Sequence, residues 1–312
     1  MLVHVVGTLL PVFSVLLLGY ALVRVGFMSP RFVEDMNHLI FWVALPAFIV
    51  GTLGRSSGMP ATVLPLVAVF MISTVALVTA SWIGLKLAGF PEASRGTFLQ
   101  AAFRGNLAFI AIPILIYSLR GLPQWEVDAV VSQAVVLFAP TMVLYNLIAA
   151  VIFPPPGGST TLIRSTLRTL GRNPLLIASL GGLGLILLPA KLPGAILDSL
   201  DYVGTFAAPA AVLCVGGAMA TTPLGRHWRP ALAAVVLKVA VLPFLTLLVA
   251  APFGLGRRES LILLIFSAAP CAAGGYVIAR KMGGDGELAA SAIFISTVLS
   301  AVSLSVVIAW FG

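Results

Sequence analysis

Long uninterrupted runs of apolar residues constrain this chain more than any other feature of its sequence. One run, LPVFSVLLLGYALV at residues 10–23, carries no charge and shows no alternation between apolar and polar residues. A transmembrane β-strand alternates with a period of two, whereas a transmembrane helix needs about 20 continuous apolar residues. Hydrophobic residues make up 60% of the chain and charged residues 9%, against about 25% charged residues in soluble domains. The sequence therefore predicts an all-α membrane protein that crosses the bilayer several times.

Turn signals divide the apolar residues into ten predicted transmembrane spans. The dividing segments are rich in glycine and proline, as in GFMSP (26–30) and KMGGDGE (281–287). The first lysine or arginine, Arg24, follows the first apolar run, so this run is interpreted as a retained helix and not as a signal peptide. The predicted spans, numbered 1 to 10, are residues 5–24, 34–53, 62–86, 96–119, 126–152, 173–190, 198–220, 230–252, 259–280 and 288–311.

The distribution of basic residues among the loops predicts the orientation of these spans. One set of alternate loops holds eleven of the 18 lysines and arginines and the other holds five, while Arg104 and Lys238 lie inside spans. Because cytoplasmic loops carry the excess of basic residues, both termini are predicted to face away from the cytoplasm, in the inner (plasma) membrane. The net charge of +8 is thereby explained, so the expected partners include membrane lipids and exclude nucleic acid.

Recurrent prolines indicate two repeats of five spans each. The basic segment 153–172 is predicted to be a cytoplasmic linker between a first repeat at 1–152 and a second at 173–312. An odd number of spans per repeat gives the two copies opposite orientations, as in the inverted repeats of secondary transporters. The proline pairs that lie 163 residues apart are Pro11 and Pro174, Pro30 and Pro193, Pro46 and Pro209, and Pro60 and Pro223.

Spans 4 and 9 contain residues that interrupt a helix. Gly105 and Asn106 lie at the centre of span 4, and Pro270 and Gly274 lie in span 9. Asn106 and Pro270 are 164 residues apart, so they occupy corresponding positions in the two repeats. Glycine costs about 1 kcal/mol in a helix interior, and proline removes a backbone donor. The pattern predicts two broken helices that cross near the bilayer midplane, where secondary transporters bind ligands. Simple kinking of two continuous helices is the alternative.

Asn106 is the first candidate for substrate contact, because a carboxamide both donates and accepts hydrogen bonds. Arg104 has two possible roles: binding carbonyls freed at the break, which we favour, or adding positive charge to an anion site. Lys238 is expected to extend its side chain towards the cytoplasmic interface, with substrate contact as the alternative.

Three further polar residues lie inside predicted spans and could line the same cavity. They are Gln133 and Asn146 in span 5 and Gln100 in span 4. The alternative for each is a hydrogen bond between helices.

Several chemistries lack their sequence signature. Aspartate and glutamate lie near the predicted span ends, so the buried carboxylates that many cation exchangers use are missing. Cys214 and Cys271 lie in apolar stretches, which suggests neither a disulfide nor a metal site. HExxH, GxGD, GxSG and Walker A patterns do not occur. We therefore expect no enzyme activity, no cofactor and no ATP-driven transport by this chain.

Three stretches resemble the auxin efflux carrier family, particularly its bacterial members, and with the ten-span layout the resemblance covers essentially the whole chain. They are NHLIFWVALPAFIV (37–50), FRGNLAFIAIPIL (103–115) and the segment 267–300, which contains SAAPCAAGGY. The resemblance implies a scaffold domain of spans 1, 2, 6 and 7, a transport domain of spans 3–5 and 8–10, elevator-like motion and a homodimer. Asn106, Pro270 and Gln133 match residues of that family's site, whereas Gly105 replaces a proline of the plant carriers.

The sequence thus predicts a secondary transporter or facilitator of small organic anions. The resemblance implies auxin-like substrates or dicarboxylates such as malonate and malate. A cation/proton antiporter on the same fold is one alternative, and the missing buried carboxylates disfavour it. A non-transporting membrane receptor is another, and it would have continuous helices in spans 4 and 9.

Overall fold

The computed structural model describes residues 2–56, 58–59, 61–153, 167–188, 192–222, 225 and 227–311, and the regular elements in these ranges are all helical. We number the helices after the predicted spans and give the two halves of spans 4 and 9 separate letters. They are α1 (Leu2–Arg24), α2 (Pro30–Arg55), α3 (Val63–Leu87), α4a (Glu92–Phe103), α4b (Leu107–Ser118), α5 (Gln124–Ile152), α6 (Pro174–Leu187), α7 (Gly194–Thr221), α8 (Trp228–Phe253), α9a (Arg257–Ala268), α9b (Gly274–Lys281) and α10 (Gly286–Phe311).

Helix length and apolar composition establish a multi-pass membrane protein. Within the described residues, seven helices are long and apolar enough to cross a bilayer: α1, α2, α3, α5, α7, α8 and α10. The other three predicted spans contain shorter helices, namely α4a with α4b, α6, and α9a with α9b. Most of the predicted linker, residues 154–166, lies outside the described residues, whereas residues 167–171 are helical.

Local sequence sets where α2 and α6 begin. The hydroxyl of Ser29 accepts a hydrogen bond of 3.1 Å from the N–H of Phe32, and Pro30 is the first residue of α2. Asn173 caps α6 in the same way, accepting from the N–H groups of Leu175 and Leu176, and Pro174 follows it. A polar cap followed by proline is a typical helix start, because proline lacks the N–H that would be unpaired there.

Three of the described helices each contain one widened turn directly before a proline. Proline cannot donate to the carbonyl four residues earlier and collides with it, so the preceding residue bonds five residues back. In α8, for example, the N–H of Leu242 donates to the carbonyl of Leu237, and Pro243 follows. The widened turns are Ile40–Ala44 before Pro46, Leu107–Ala111 before Pro113, and Leu237–Val241 before Pro243. The third of them carries Lys238.

Two glycines let α1 and α7 pack backbone against backbone. A Cβ built on Gly19 would collide with the carbonyl of Leu213, and a Cβ on Gly216 would collide with the carbonyl of Leu16. Small residues at a helix contact permit such close approach inside a membrane. This pair therefore fixes α1 and α7, from the two halves of the chain, as one packed unit.

Candidate functional site

Spans 4 and 9 are interrupted at the predicted positions, and the two interruptions contact each other. The N–H of Asn106 donates a 2.7 Å hydrogen bond to the carbonyl of Pro270, and the N–H of Ala272 donates a 2.9 Å bond to the carbonyl of Arg104. Gly105 and Cys271 face each other between these bonds as an antiparallel bridge. The extended segments thus satisfy each other's backbone groups, which buried backbone away from water requires.

Two side chains approach the backbone of Gly105 closely. A Cβ there would lie 3.1 Å from Cδ2 of Leu107 and 3.2 Å from both Cε and Nζ of Lys238. These separations are tighter than ordinary side-chain contacts, so a larger residue would require Leu107 and Lys238 to shift. The residue that starts the break therefore also leaves room for the ammonium group.

Lys238 is fully buried and contacts the end of α9a, so the expectation that it extends to the cytoplasmic interface is wrong. Its Nζ donates to the carbonyl of Ser267 and lies 3.4 Å from the carbonyl of Phe266. Both carbonyls belong to the last turn of α9a, where a helix end leaves acceptors unpaired. The physical reason is that these acceptors at the end of α9a lie within hydrogen-bonding distance of the ammonium.

Arg104 binds a different partner from the one we expected. Its guanidinium donates a 3.3 Å hydrogen bond to the carbonyl of Tyr145 in α5, and its Cζ lies 5.7 Å from the centre of the Tyr145 ring. The hydroxyl of Tyr145 in turn accepts from the N–H of Gly105 at 3.4 Å. Arg104 therefore joins the crossover to α5, while Lys238 binds the carbonyls freed at a break, the role we had favoured for Arg104.

A cavity of about 570 Å³ reaches the crossover. Asn106 and Cys271 line it together with residues of α7, α9b and α10, among them Met219, Tyr276 and Thr297. Cavities of about 300–1,000 Å³ are typical of small-molecule sites. Asn106 is 7% exposed, and its carboxamide has no hydrogen-bond partner among the described residues. An unpaired donor and acceptor thus lie at the crossover end of a cavity large enough for a small anion.

A second cavity of about 10 Å³, room for about one water, lies beside the first. Gln100, Arg104 and Gly275 line it, and Cys271 and Tyr276 line both cavities. The Gln100 side chain is 2% exposed, and neither of its polar atoms has a partner in the described part of the chain. Gln100 lines this smaller cavity and not the one that Asn106 lines, and its spacing of four residues from Arg104 places both on one helix face.

The remaining site candidates lie in different surroundings. The carboxamide of Asn146 donates a 2.7 Å bond to the carbonyl of Met142 in its own helix, and neither Asn146 nor Gln133 lines the two crossover cavities. Gln133 has a buried Oε1 with no partner among the described residues. Gly274 is exposed and begins α9b. No group of three or more His, Cys, Asp or Glu side chains with metal-binding geometry occurs in the described ranges.

One polar cluster at the start of α10 lies outside the membrane-spanning segments. Asp285 accepts hydrogen bonds from the hydroxyl of Ser94 at 2.8 Å and the N–H of Leu288 at 2.9 Å, and lies 2.7 Å from Nδ1 of His227. Partial burial on its own would raise the pKa of Asp285, but these hydrogen bonds outweigh burial and hold the pKa below its ordinary value. The carboxylate therefore ties together the starts of α4a, α8 and α10.

The profile of a family described as "Membrane transport protein" matches residues 4–308. A relative from Rhizobium meliloti (strain 1021), named "Putative malonate transporter", is 23% identical over 313 residues, which cover 97% of this chain and 94% of that protein.

Proposed function

Because the chain belongs to the membrane transport protein family, the auxin efflux carrier family whose motifs it resembles, we propose that it is a secondary transporter or facilitator of small organic anions. Its substrates in this proposal are dicarboxylates such as malonate or malate. The family is one of membrane transporters and not of enzymes. The name of the Rhizobium relative supports malonate as the first substrate to test.

The observation that carries the proposal is the contact between two interrupted helices beside a cavity. Transporters with broken helices bind their substrates where half-helices meet, because helix N-termini carry partial positive charge and attract anions. The N-termini of α4b and α9b both begin at the crossover, at Leu107 and Gly274. Arg104 and Lys238 add two cationic side chains near the same point.

Asn106 is proposed to contact the substrate directly. Its unpaired carboxamide can donate to a substrate carboxylate from the end of the larger cavity. Gln100 is proposed to act through a water in the smaller cavity, which has room for about one. Leaving its buried amide unpaired would cost about 1–3 kcal/mol, and a hydrogen bond to that water would remove the cost.

The proposed transport cycle is elevator-type alternating access by ten transmembrane helices in two inverted repeats. In this arrangement α1, α2, α6 and α7 form the scaffold of a homodimer, and α3–α5 with α8–α10 carry the substrate, with both termini away from the cytoplasm. The close packing of α1 on α7 supports a rigid scaffold. The cluster at Asp285, which joins α4a, α8 and α10, supports movement of those helices as one body.

Two alternatives are less well supported. A cation/proton antiporter would use carboxylates inside the membrane, whereas the ten acidic residues of this chain lie near helix ends or in loops. A non-transporting receptor has no need of interrupted helices, which membrane proteins tolerate where they line a cavity.

Uptake of labelled malonate into proteoliposomes tests the proposal. We expect saturable uptake that exceeds the uptake by protein-free liposomes and that excess unlabelled malonate inhibits. Uptake that responds to imposed sodium or proton gradients would identify a coupled transporter, and uptake that ignores both would identify a facilitator. Absence of uptake for malonate, malate and auxin-like anions by folded protein would contradict the proposal.

A further inference from the structure

Lys238 places its amine at a depth where a membrane protein must compensate any positive charge. It lies ten residues after Trp228, the first residue of α8, which is about 15 Å along the helix and half of the hydrocarbon thickness. Its side chain is 0% exposed. An ammonium group at this depth needs partners, because its desolvation is otherwise costly.

Backbone carbonyls supply that compensation. The ammonium binds the carbonyls of Phe266 and Ser267, and the next carbonyl, that of Ala268, lies 3.4 Å from the hydroxyl of Ser303. These groups form the C-terminal end of α9a, where the helix dipole places partial negative charge. No carboxylate is ion-paired with Lys238 in the described ranges. One helix end thus takes the place of an acidic side chain.

The same kind of helix end binds free cations in other transporters. In folds with broken helices, unwound carbonyls and half-helix C-termini coordinate sodium ions or protons. A lysine ammonium carries the same single charge and donates to the same carbonyl oxygens. Two local features position the ammonium of Lys238. The widened turn Leu237–Val241 carries the residue, and Gly105 leaves space for its Cε and Nζ.

We propose that the ammonium of Lys238 is a tethered monovalent cation, which occupies the carboxyl end of α9a where a free cation would otherwise bind. This inference rests on the proposed transport function and adds a statement about its coupling to cations. Anion transport by this chain requires no free monovalent cation at the crossover. Removing the ammonium while leaving its space converts the position into a site that a free cation can fill.

Three variants separate charge from volume. Lys238→Ala removes the ammonium and leaves space, and Lys238→Met keeps an apolar stem but supplies no charge. Lys86→Ala is the matched control, because Lys86 lies at the end of α3 with its ammonium 5.1 Å from the Trp82 ring. Malonate uptake is measured in proteoliposomes with choline, sodium or ammonium chloride on both sides, and malonate is added as its choline salt.

We expect the wild type and Lys86→Ala to transport equally, within twofold, in all three salts. Lys238→Ala should fall at least tenfold in choline and recover at least threefold in ammonium or sodium. Lys238→Met should stay low in every salt, because its side chain blocks the position. Each of three results would contradict the tethered-cation proposal. They are wild-type uptake that requires sodium, full activity of Lys238→Ala in choline, and recovery of Lys238→Met in ammonium or sodium equal to that of Lys238→Ala.

Thermal unfolding in detergent gives a second readout that does not depend on transport. Ammonium or sodium should raise the unfolding midpoint of Lys238→Ala relative to choline and leave that of the wild type unchanged. If the wild type transports none of the tested anions but ammonium or sodium stabilises Lys238→Ala, the tethered-cation proposal is supported and the proposed transport function is contradicted. If Lys238→Ala folds in choline too poorly to purify, recovery of folded protein in ammonium supports the inference, and failure in every salt overturns it.

Discussion

The N–H of Asn106 donates a 2.7 Å hydrogen bond to the carbonyl of Pro270, which joins the two interrupted helices through their main chains. A second main-chain bond, from Ala272 to Arg104, completes the contact. Because the backbone of Asn106 makes this structural bond, its side chain is not needed to hold the crossover together. The carboxamide can therefore be changed without removing the bonds that join α4b to α9a.

Asn106→Ala should abolish transport while leaving folding intact. We expect malonate uptake to fall at least tenfold, because a lost hydrogen bond to a charged group is worth about 1.5–3 kcal/mol. The unfolding midpoint should change by no more than a few degrees. Asn146→Ala is the matched control, since the Asn146 carboxamide bonds its own helix at Met142. Equal uptake by the wild type and Asn106→Ala would remove Asn106 from the site.

Substrate should protect Cys271 from alkylation. Cys271 lines both crossover cavities and is 4% exposed, whereas Cys214 is 0% exposed and lines neither. We expect malonate to slow labelling of Cys271 by a small maleimide at least threefold in a Cys214→Ser background. The thiol of Cys214, measured in Cys271→Ser, should label slowly with or without malonate. Labelling of Cys271 that ignores saturating malonate would place the substrate elsewhere.

The helix breaks could be predicted from sequence because their causes are local. Gly105 and Pro270 weaken a helix whatever surrounds them, so their positions inside apolar runs were sufficient. The role of Lys238 could not be predicted in this way. Its partners, the carbonyls of Phe266 and Ser267, belong to another helix, and which cation meets which helix end depends on tertiary packing. When α8 is considered alone, no partner for Lys238 is visible inside the membrane, so extension of the side chain to the interface is the role that the sequence predicts.

Replacing Gly216 by alanine should destabilise the packing of α1 on α7. The added methyl group would meet the carbonyl of Leu16, which is backbone and cannot rotate away. We expect a loss of about 1–3 kcal/mol, typical of overpacking, measured as a lower unfolding midpoint in detergent. Gly181→Ala in α6 is the control, because a Cβ there meets no atom within 4 Å. Equal midpoints for the two variants would show that α1 and α7 do not need this close contact.

Asp285 should make a contribution to stability that is lost in acid. Its hydrogen bonds with Ser94 and Leu288 and its contact with His227 favour the ionised carboxylate and lower its pKa in the folded state. A lowered pKa means that the unfolded chain binds a proton more readily than the folded protein. The contribution is therefore fully present above the unfolded aspartate pKa of about 3.9 and is lost as pH falls through the folded-state pKa.

The measurement compares the wild type with Asp285→Asn, which keeps the size of the side chain and removes its charge. At pH 5 the variant should unfold several degrees below the wild type, and the difference should narrow steadily towards pH 3. Asp35→Asn, an exposed position in α2, controls for general acid effects and should show no such convergence. A difference between wild type and Asp285→Asn that stays constant from pH 5 to pH 3 would mean that the charge of Asp285 does not stabilise the junction of α4a, α8 and α10. The hydrogen bonds of Asp285 would then stabilise the junction to the same extent with a neutral side chain. Support for movement of these helices as one body would have to come from their apolar contacts.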